Sequence, residues 1–184
     1  MLRSTVVSTC ALTLALAGCA SHSGTKPPKP PRHPIEIALA PVGDSRVEGK
    51  LEVVVVPDGV RIQGTITGLA PGSTHGFHIH QHGDCSSSDA SSAGGHFNPT
   101  ATEHGDPVAL VHHAGDIANQ LADAQGRIDV DQTVHGVSLD TGTNDDVLGR
   151  AVVLQDGPDD YVTQPSGGSS AAIACGVILK KDKE

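Results

Sequence analysis

Histidines crowd one stretch of the sequence, Gly76 to Pro99, with a spacing that suits metal binding. His78, His80 and His82 stand at every second position. Residues two apart on a β-strand project from the same face, so His78 and His80 can direct their imidazoles toward one ion. Taken alone, such a pair is more often solvated surface than a metal site.

Further potential ligands follow closely, and they change the interpretation of that pair. They are His96, His104, His113 and Asp116. Imidazole suits copper and zinc, and a carboxylate added to three imidazoles makes a plausible closed tetrahedral zinc site. The alternative is a long solvated loop with scattered polar residues. The convergence of so many ligand types favours metal binding.

Short apolar or alternating segments, separated by Gly, Pro and Asp, predict the strands that must position these side chains. The segments are residues 35–40, 50–56, 60–68, 75–81, 126–134, 148–155 and 173–180. No stretch predicts a long helix. Two connections, roughly 81–118 and 156–172, are long enough to be functional loops, and the first carries the ligands. The pattern favours an antiparallel sandwich or barrel.

The composition indicates one small β-domain and argues against a nucleic-acid partner. The chain has 184 residues, with two Phe, one Tyr and no Trp. Small and β-branched side chains are abundant, as in sheet proteins. The formal net charge is −9, and no basic stripe with interleaved aromatic residues is present.

Several sequence blocks together resemble those of bacterial Cu,Zn superoxide dismutases. In chain order they are GFHIH, GDC, SAGGHFNP, HHAGDIAN, GRAVVL, GPDDYVTQPSG and IACGVI, which span roughly residues 35–180. The resemblance implies an all-β domain over residues 35–184. It also implies an eight-stranded antiparallel Greek-key barrel with two long functional loops and one disulfide.

The resemblance also implies two neighbouring metal subsites. Zinc would be bound by His96, His104, His113 and Asp116, and copper by His78, His80 and His96. His96 would therefore bridge the two ions. Asp159, in the second long loop, would accept a hydrogen bond from one ligand histidine of each subsite and so fix its tautomer and orientation.

Two positions depart from the family pattern where chemistry depends on them. Gln155 stands where the resemblance implies the fourth copper-binding histidine, and a neutral amide oxygen is a poor ligand for copper(I). Ala172 stands where it implies an arginine that attracts superoxide and positions it beside copper. No confident catalytic residue is left at these positions, whereas the zinc set is complete.

The first residues are typical of an export signal. Residues 1–18 carry Arg3 ahead of a short apolar stretch. The segment Leu-Ala-Gly-Cys that ends at Cys19 resembles a bacterial lipobox, which implies cleavage before Cys19 and its lipidation. A membrane-spanning helix is the alternative, but the apolar run is shorter than the roughly 20 residues that a bilayer requires.

A tether is expected between this anchor and the domain. Residues 19–34 are rich in proline and lack apolar periodicity, so they predict an extended linker in which His22 and His33 are solvated. By resemblance to enterobacterial lipoproteins, Ala20 after the lipidated cysteine implies the outer membrane, facing the periplasm. The lipid anchor is the only expected membrane contact.

Cysteine usage fits this compartment. Removal of Cys10 with the signal and lipidation of Cys19 leave Cys85 and Cys175, which are expected to form a disulfide. The resemblance supports the same pairing.

The remaining histidines are expected to have no ligand role. His82, His112 and His135 are interpreted as surface residues, and His75 as a turn cap. His82 also has an alternative interpretation as a replacement copper ligand.

The leading hypothesis is an exported zinc-binding lipoprotein with an incomplete copper site, serving in metal binding or buffering rather than catalysis. The first alternative is a working dismutase in which Gln155, His82 or water completes the copper shell. The second is a structural or adhesive β-domain without a metal role. Bacterial relatives often form homodimers, but the residues indicate no particular dimer surface.

Overall fold

The computed structural model describes residues 34–168 and 170–180, and within them the predicted all-β fold is confirmed. The strands are β1 Ile35–Pro41, β2 Glu48–Val56, β3 Gly59–Thr67, β4 Thr74–His80, β5 Asp116–Leu121, β6 Ile128–His135, β7 Ala151–Gln155 and β8 Ala172–Val177. Among these residues the only helix is a single 3-10 turn, Ser91–Ala93. None of the described helices could cross a membrane. The predictions for the signal, Cys19 and the tether up to residue 33 lie outside the described residues.

All eight strands pair antiparallel in one sheet that curls into a nearly closed barrel. The strand order is β5-β4-β7-β8-β1-β2-β3-β6, and β5 and β6 at the two ends of this order approach each other. Strand β1 joins the two halves, because it pairs with β2 along its length and with β8 through Ala40 and Pro41. The connections from β3 to β4, from β5 to β6 and from β6 to β7 pass between the halves.

Alternation of side chains along the strands separates a core from the metal-binding face. Phe77 and Ile79 of β4 are fully buried in the barrel core. Their neighbours His78 and His80 therefore project from the opposite face of the strand. These two histidines are nevertheless buried, because the long loops cover that face.

The strand limits correct the sequence prediction at two places. The first long loop ends at Gly115 rather than near residue 118, and it is followed by β5, which the sequence segments missed. Strand β5 contains buried polar residues such as Asp116 and Gln120, so it shows no clear apolar alternation. The second loop is one residue shorter than expected, because Ala172 already belongs to β8.

The predicted disulfide between Cys85 and Cys175 is present, with a Cα–Cα distance of 5.8 Å. It joins the first long loop to β8 across a sequence separation of 90 residues. Closing a loop of that length stabilises a fold by roughly 4 to 5 kcal/mol in the chain-entropy description. A small second apolar cluster lies around it and includes Val42, Ala93 and Val153.

Candidate metal centre

The structure brings all the sequence-predicted ligands to one place between the barrel wall and the two long loops. His78 and His80 come from β4, and Asp116 is the first residue of β5. His96 lies in the first loop and forms an isolated β-bridge with His80, which seats the loop on the strand. His104 and His113 follow in the same loop, and all six side chains are buried.

Four of these residues form what we term the four-donor subsite: His96, His104, His113 and Asp116. One potential ligand atom from each lies within 4.8 Å of the others. The Asp116 carboxylate is at the centre. Its Oδ1 is 2.8 Å from His96 Nδ1 and 3.3 Å from His113 Nδ1, and its Oδ2 is 3.1 Å from His104 Nδ1. Three imidazoles and one carboxylate are a donor set that suits tetrahedral zinc.

Backbone groups fix the Asp116 carboxylate in this position. Its Oδ2 accepts hydrogen bonds from the backbone N–H of His113 at 2.8 Å and of Gly105 at 3.2 Å. The side-chain Nδ1 atoms of His104 and His113 are buried and have no hydrogen-bond partner among the described residues. Buried polar atoms are normally paired, so two unpartnered nitrogens that face one carboxylate are the arrangement expected of cation ligands.

A second group, termed the open subsite, consists of His78, His80, His96 and Gln155. The potential ligand nitrogens of the three histidines also lie within 4.8 Å of one another. His78 Nδ1, His80 Nε2, His96 Nε2 and Gln155 Oε1 are all buried and have no hydrogen-bond partner in the described part of the chain. The subsite therefore offers three imidazole nitrogens and one amide oxygen, a set that can hold copper but departs from four imidazoles.

Asp159 links the two subsites as the family resemblance implies. Its Oδ2 accepts from His78 Nε2–H at 2.8 Å, and its Oδ1 accepts from His104 Nε2–H at 3.0 Å. A carboxylate can only accept, so each histidine keeps its proton on Nε2 and presents the Nδ1 lone pair to the site. His80 is oriented differently, because its Nδ1–H donates to the backbone oxygen of Gly94 at 2.8 Å and leaves Nε2 free.

Burial and hydrogen bonds keep three ligand histidines neutral and the ligand carboxylate ionised, as metal binding requires. Burial lowers the pKa of His80 and of His96 to about 4, and it also lowers the pKa of His78. Burial alone raises the pKa of Asp116, but hydrogen bonds from His96 and from the His113 backbone outweigh it, and the pKa lies below its usual range. At neutral pH the imidazoles of His78, His80 and His96 are therefore neutral, and the Asp116 carboxylate is ionised.

Gln155 and Ala172, the two positions at which the resemblance implies other residues, are neighbours in space. Gln155 at the end of β7 is the cross-strand partner of Ala172 at the start of β8. The Ala172 side chain packs against the small apolar cluster around the disulfide. Both residues line one cavity together with His80.

Three further residues support the site, and the sequence pattern did not identify them. His75 is buried, and its Nδ1–H donates to the backbone oxygen of Gln155 at 2.7 Å. Its Nε2 lies 2.6 Å from Ser73 Oγ in the turn before β4, so His75 contacts the turn as expected and also supports the site. The Gln164 side chain bonds both the N–H and the C=O of His104, at 2.9 and 2.8 Å. A Cβ on Gly167 would lie 1.8 Å from Asp159 Oδ1. A β-bulge between His75 and Phe77 breaks the strand parity, which hid the role of His75.

The other histidines of the described ranges lie outside both subsites. His82 follows the end of β4 and is exposed. His112 Nδ1–H donates to the backbone oxygen of His113 at 2.7 Å. His135 is exposed, and its Nδ1 lies 3.3 Å from a carboxylate oxygen of Asp58. Their arrangement matches the surface interpretation for His82 and His135, whereas His112 is half-buried.

Comparison with known proteins finds the same family over most of the chain. The family described as copper/zinc superoxide dismutase matches residues 47–178. The superoxide dismutase-like protein YojM of Bacillus subtilis is 34% identical over 186 residues, which cover 93% of this chain and 93% of the relative. Superoxide dismutase Cu-Zn 2 of Aquifex aeolicus is 38% identical over 138 residues, which cover 73% of this chain and 81% of the relative.

A solved structure agrees with the sequence relatives. The crystal structure of a superoxide dismutase-like protein from Bacillus subtilis superposes with a TM-score of 0.72 at 37% identity. The match covers 79% of this chain and 98% of that structure. With its eight-stranded barrel, its disulfide and its clustered histidines, this chain belongs to the copper/zinc superoxide dismutase family.

Proposed function

We propose that this protein is an exported, lipid-anchored zinc-binding member of its family, whose open subsite binds copper without efficient superoxide turnover. Its role is metal binding and buffering in the bacterial cell envelope. Zinc in the four-donor subsite would hold the first long loop against the barrel, so metal binding contributes to folding. Cys19 is the proposed lipidation site, and the periplasmic face of the outer membrane is the proposed location.

The observation that best supports this proposal is the difference between the two donor sets. One offers three imidazoles and a carboxylate, as zinc prefers, and the other offers three imidazoles and an amide in place of four imidazoles. His104 Nδ1 and His113 Nδ1 face the Asp116 carboxylate in the arrangement a cation requires. The open subsite instead presents Gln155 Oε1, and its cross-strand neighbour is Ala172 rather than a cationic side chain. A copper ion that must alternate between two oxidation states is held less well by a neutral amide oxygen.

Metal loading and turnover measured together test this proposal. The purified protein is reconstituted with zinc, with copper and with both, and the bound metal and the rate of superoxide loss are measured on each sample. We expect about one equivalent of zinc and turnover close to that of free-copper controls. Turnover far above those controls contradicts the proposal.

Chelation separates a metal-binding role from a purely structural one. A zinc-organised loop should lose thermal stability in a strong chelator, and the loss should be reversed by added zinc. A melting temperature that the chelator leaves unchanged contradicts a zinc role. Double substitution of His104 and His113 by Ala supplies the control, because chelator should not lower its stability further.

One observation favours a second candidate, an active dismutase with an atypical copper shell. Gln155 Oε1 is buried and unpartnered among the described residues, and Gln155 lines the small cavity together with His80 and His96, so its amide is available as a fourth ligand. Copper bound there would supply the one-electron redox chemistry of superoxide dismutation. For this candidate, replacing His78 or His80 by Ala abolishes turnover, while turnover that survives both changes indicates adventitious metal.

A further inference from the structure

Two cavities meet at the open subsite. A small one of about 330 Å³ lies between the two long loops, and a large groove of about 1020 Å³ runs along the start of β8. His80 and Gln155 line both cavities. The large groove passes directly over Ala172, where a short side chain leaves space.

The charges along the groove are mostly negative. Asp44, Asp89 and Asp156 line it, and all three are exposed. Arg46 is the only Lys or Arg that the described residues contribute to this lining. Within the same described ranges, the small cavity is lined by no Asp, Glu, Lys or Arg. The approach to the open subsite therefore carries three carboxylates against one guanidinium.

Unpartnered ligand atoms lie where the groove meets the subsite. His80 is 9% exposed and Gln155 is 6% exposed, and His80 Nε2 and Gln155 Oε1 have no hydrogen-bond partner among residues 34–168 and 170–180. Both atoms are electron-pair donors, so they attract a cation and not an anion. Hydrogen bonds from Ser91 lower the pKa of Asp89 and keep this carboxylate ionised at neutral pH.

We propose that the groove is an entry path for metal cations, formed by Asp44, Asp89 and Asp156 and leading to His80 and Gln155. This inference rests on the proposed metal-binding function and names its cargo as a metal cation such as a copper ion. A cleft lined by one sign of charge concentrates opposite charges and raises their association rate. The same field repels superoxide, so the groove favours metal uptake over anion turnover.

The rate of copper association tests the path. Zinc-loaded protein is mixed with copper(II) at low ionic strength, and the absorbance of bound copper is followed by stopped flow. Simultaneous Asp44→Asn, Asp89→Asn and Asp156→Asn substitutions should slow association about tenfold. The effect should shrink as salt shortens the screening length to a few ångströms. The dissociation rate should stay unchanged, since no ligand is altered.

A matched variant controls for net charge. Asp58→Asn, Asp129→Asn and Asp131→Asn remove the same charge from exposed positions that do not line the groove. This variant should associate with copper at nearly the unaltered rate. Equal slowing by both variants, or no slowing by the groove variant, overturns the entry path.

An anionic probe provides the complementary measurement. Azide should bind the copper-loaded groove variant more tightly than the copper-loaded unaltered protein, and weaker binding overturns the proposed charge selection.

Failure of the entry path is distinguishable from failure of the proposed function. Rapid superoxide turnover by the unaltered protein contradicts the function, whereas the entry path depends only on the association rates.

Discussion

The two subsites of the metal centre share a histidine but are built differently. The four-donor subsite takes every ligand from the first long loop and the first residue of β5. The open subsite takes His78 and His80 from β4 and Gln155 from β7, so its geometry depends on strand pairing. The first has a carboxylate at its centre, and the second has a neutral amide. Loop and wall thus supply separate donor sets, and one can change while the other is kept.

The wall of the open subsite contains two residues that lie side by side. Gln155 and Ala172 belong to consecutive strands and pair across β7 and β8. Together they place an amide and a methyl group on the side of the open subsite that faces the large groove. The four-donor subsite takes no ligand from β7 or β8. Its donor set therefore does not depend on the residues at positions 155 and 172.

The strongest test of the comparison is removal of the carboxylate from the four-donor subsite. Asp116→Asn should weaken zinc binding about 1000-fold, or about 4 kcal/mol, because the only anionic ligand is lost. Competition with a chelator of known zinc affinity measures the change. Glu103→Gln, an exposed change in the same loop, should leave zinc affinity unaltered. Equal zinc affinity in both variants contradicts the assigned ligand set.

A second test converts the open subsite toward four imidazoles. Gln155→His should raise copper(I) affinity about 100-fold, since imidazole is a better ligand than an amide oxygen. Copper(I) competition titrations measure this gain. Gln132→His on β6 adds a histidine away from both subsites and should give no such gain. If the two variants bind copper(I) alike, Gln155 does not lie in the copper shell.

A smaller, shared effect is expected from the residue that joins the subsites. Asp159→Asn should weaken zinc and copper binding each by about 30-fold, because groups that orient metal ligands affect affinity by roughly 10 to 100-fold. Gly167→Ala should act in the same direction, since its Cβ would displace the Asp159 carboxylate. Asp160→Asn is the neighbouring control. Weakening of only one metal would show that Asp159 does not couple the subsites.

The smallest effect is expected at a loop that needs no metal. The Asp146 carboxylate accepts hydrogen bonds from the backbone N–H groups of Asp140, Thr141, Gly142 and Leu148 at 2.7 to 2.9 Å. Burial alone raises the pKa of Asp146, but these bonds outweigh it and hold the pKa below its ordinary value. Asp146→Asn should cost about 1 kcal/mol of unfolding free energy at neutral pH.

The pH dependence of that cost has a definite sign. A depressed folded-state pKa stabilises the fold above the unfolded value and loses its contribution as pH falls through the folded value. The difference in unfolding free energy between the unaltered protein and the D146N variant should therefore be constant above about pH 5 and shrink below about pH 4. Denaturant unfolding at several pH values, with and without chelator, measures it. A difference that depends on chelator would contradict a metal-free role for this loop.

Much of the fold and site could be predicted from local sequence. Alternation identified seven strands, and the spacing of the histidines, together with the family resemblance, predicted both ligand groups. Strand β5 was missed because its buried residues include Asp116 and Gln120, and Asp116 serves the site rather than the core. The contact of His75 with the backbone of Gln155 was not predicted, because it joins residues 80 apart in sequence.

The sequence by itself determined which donors are present, because ligand chemistry is a property of residue types and their local spacing. It also determined that positions 155 and 172 carry glutamine and alanine, where the resemblance implies histidine and arginine. Only the tertiary structure decided that these two residues form one cross-strand pair, that Asp159 holds a histidine of each subsite, and that three carboxylates line the groove beside them. The physical reason is that these contacts join distant parts of the chain, and their geometry is fixed by strand pairing and loop packing rather than by neighbours in sequence.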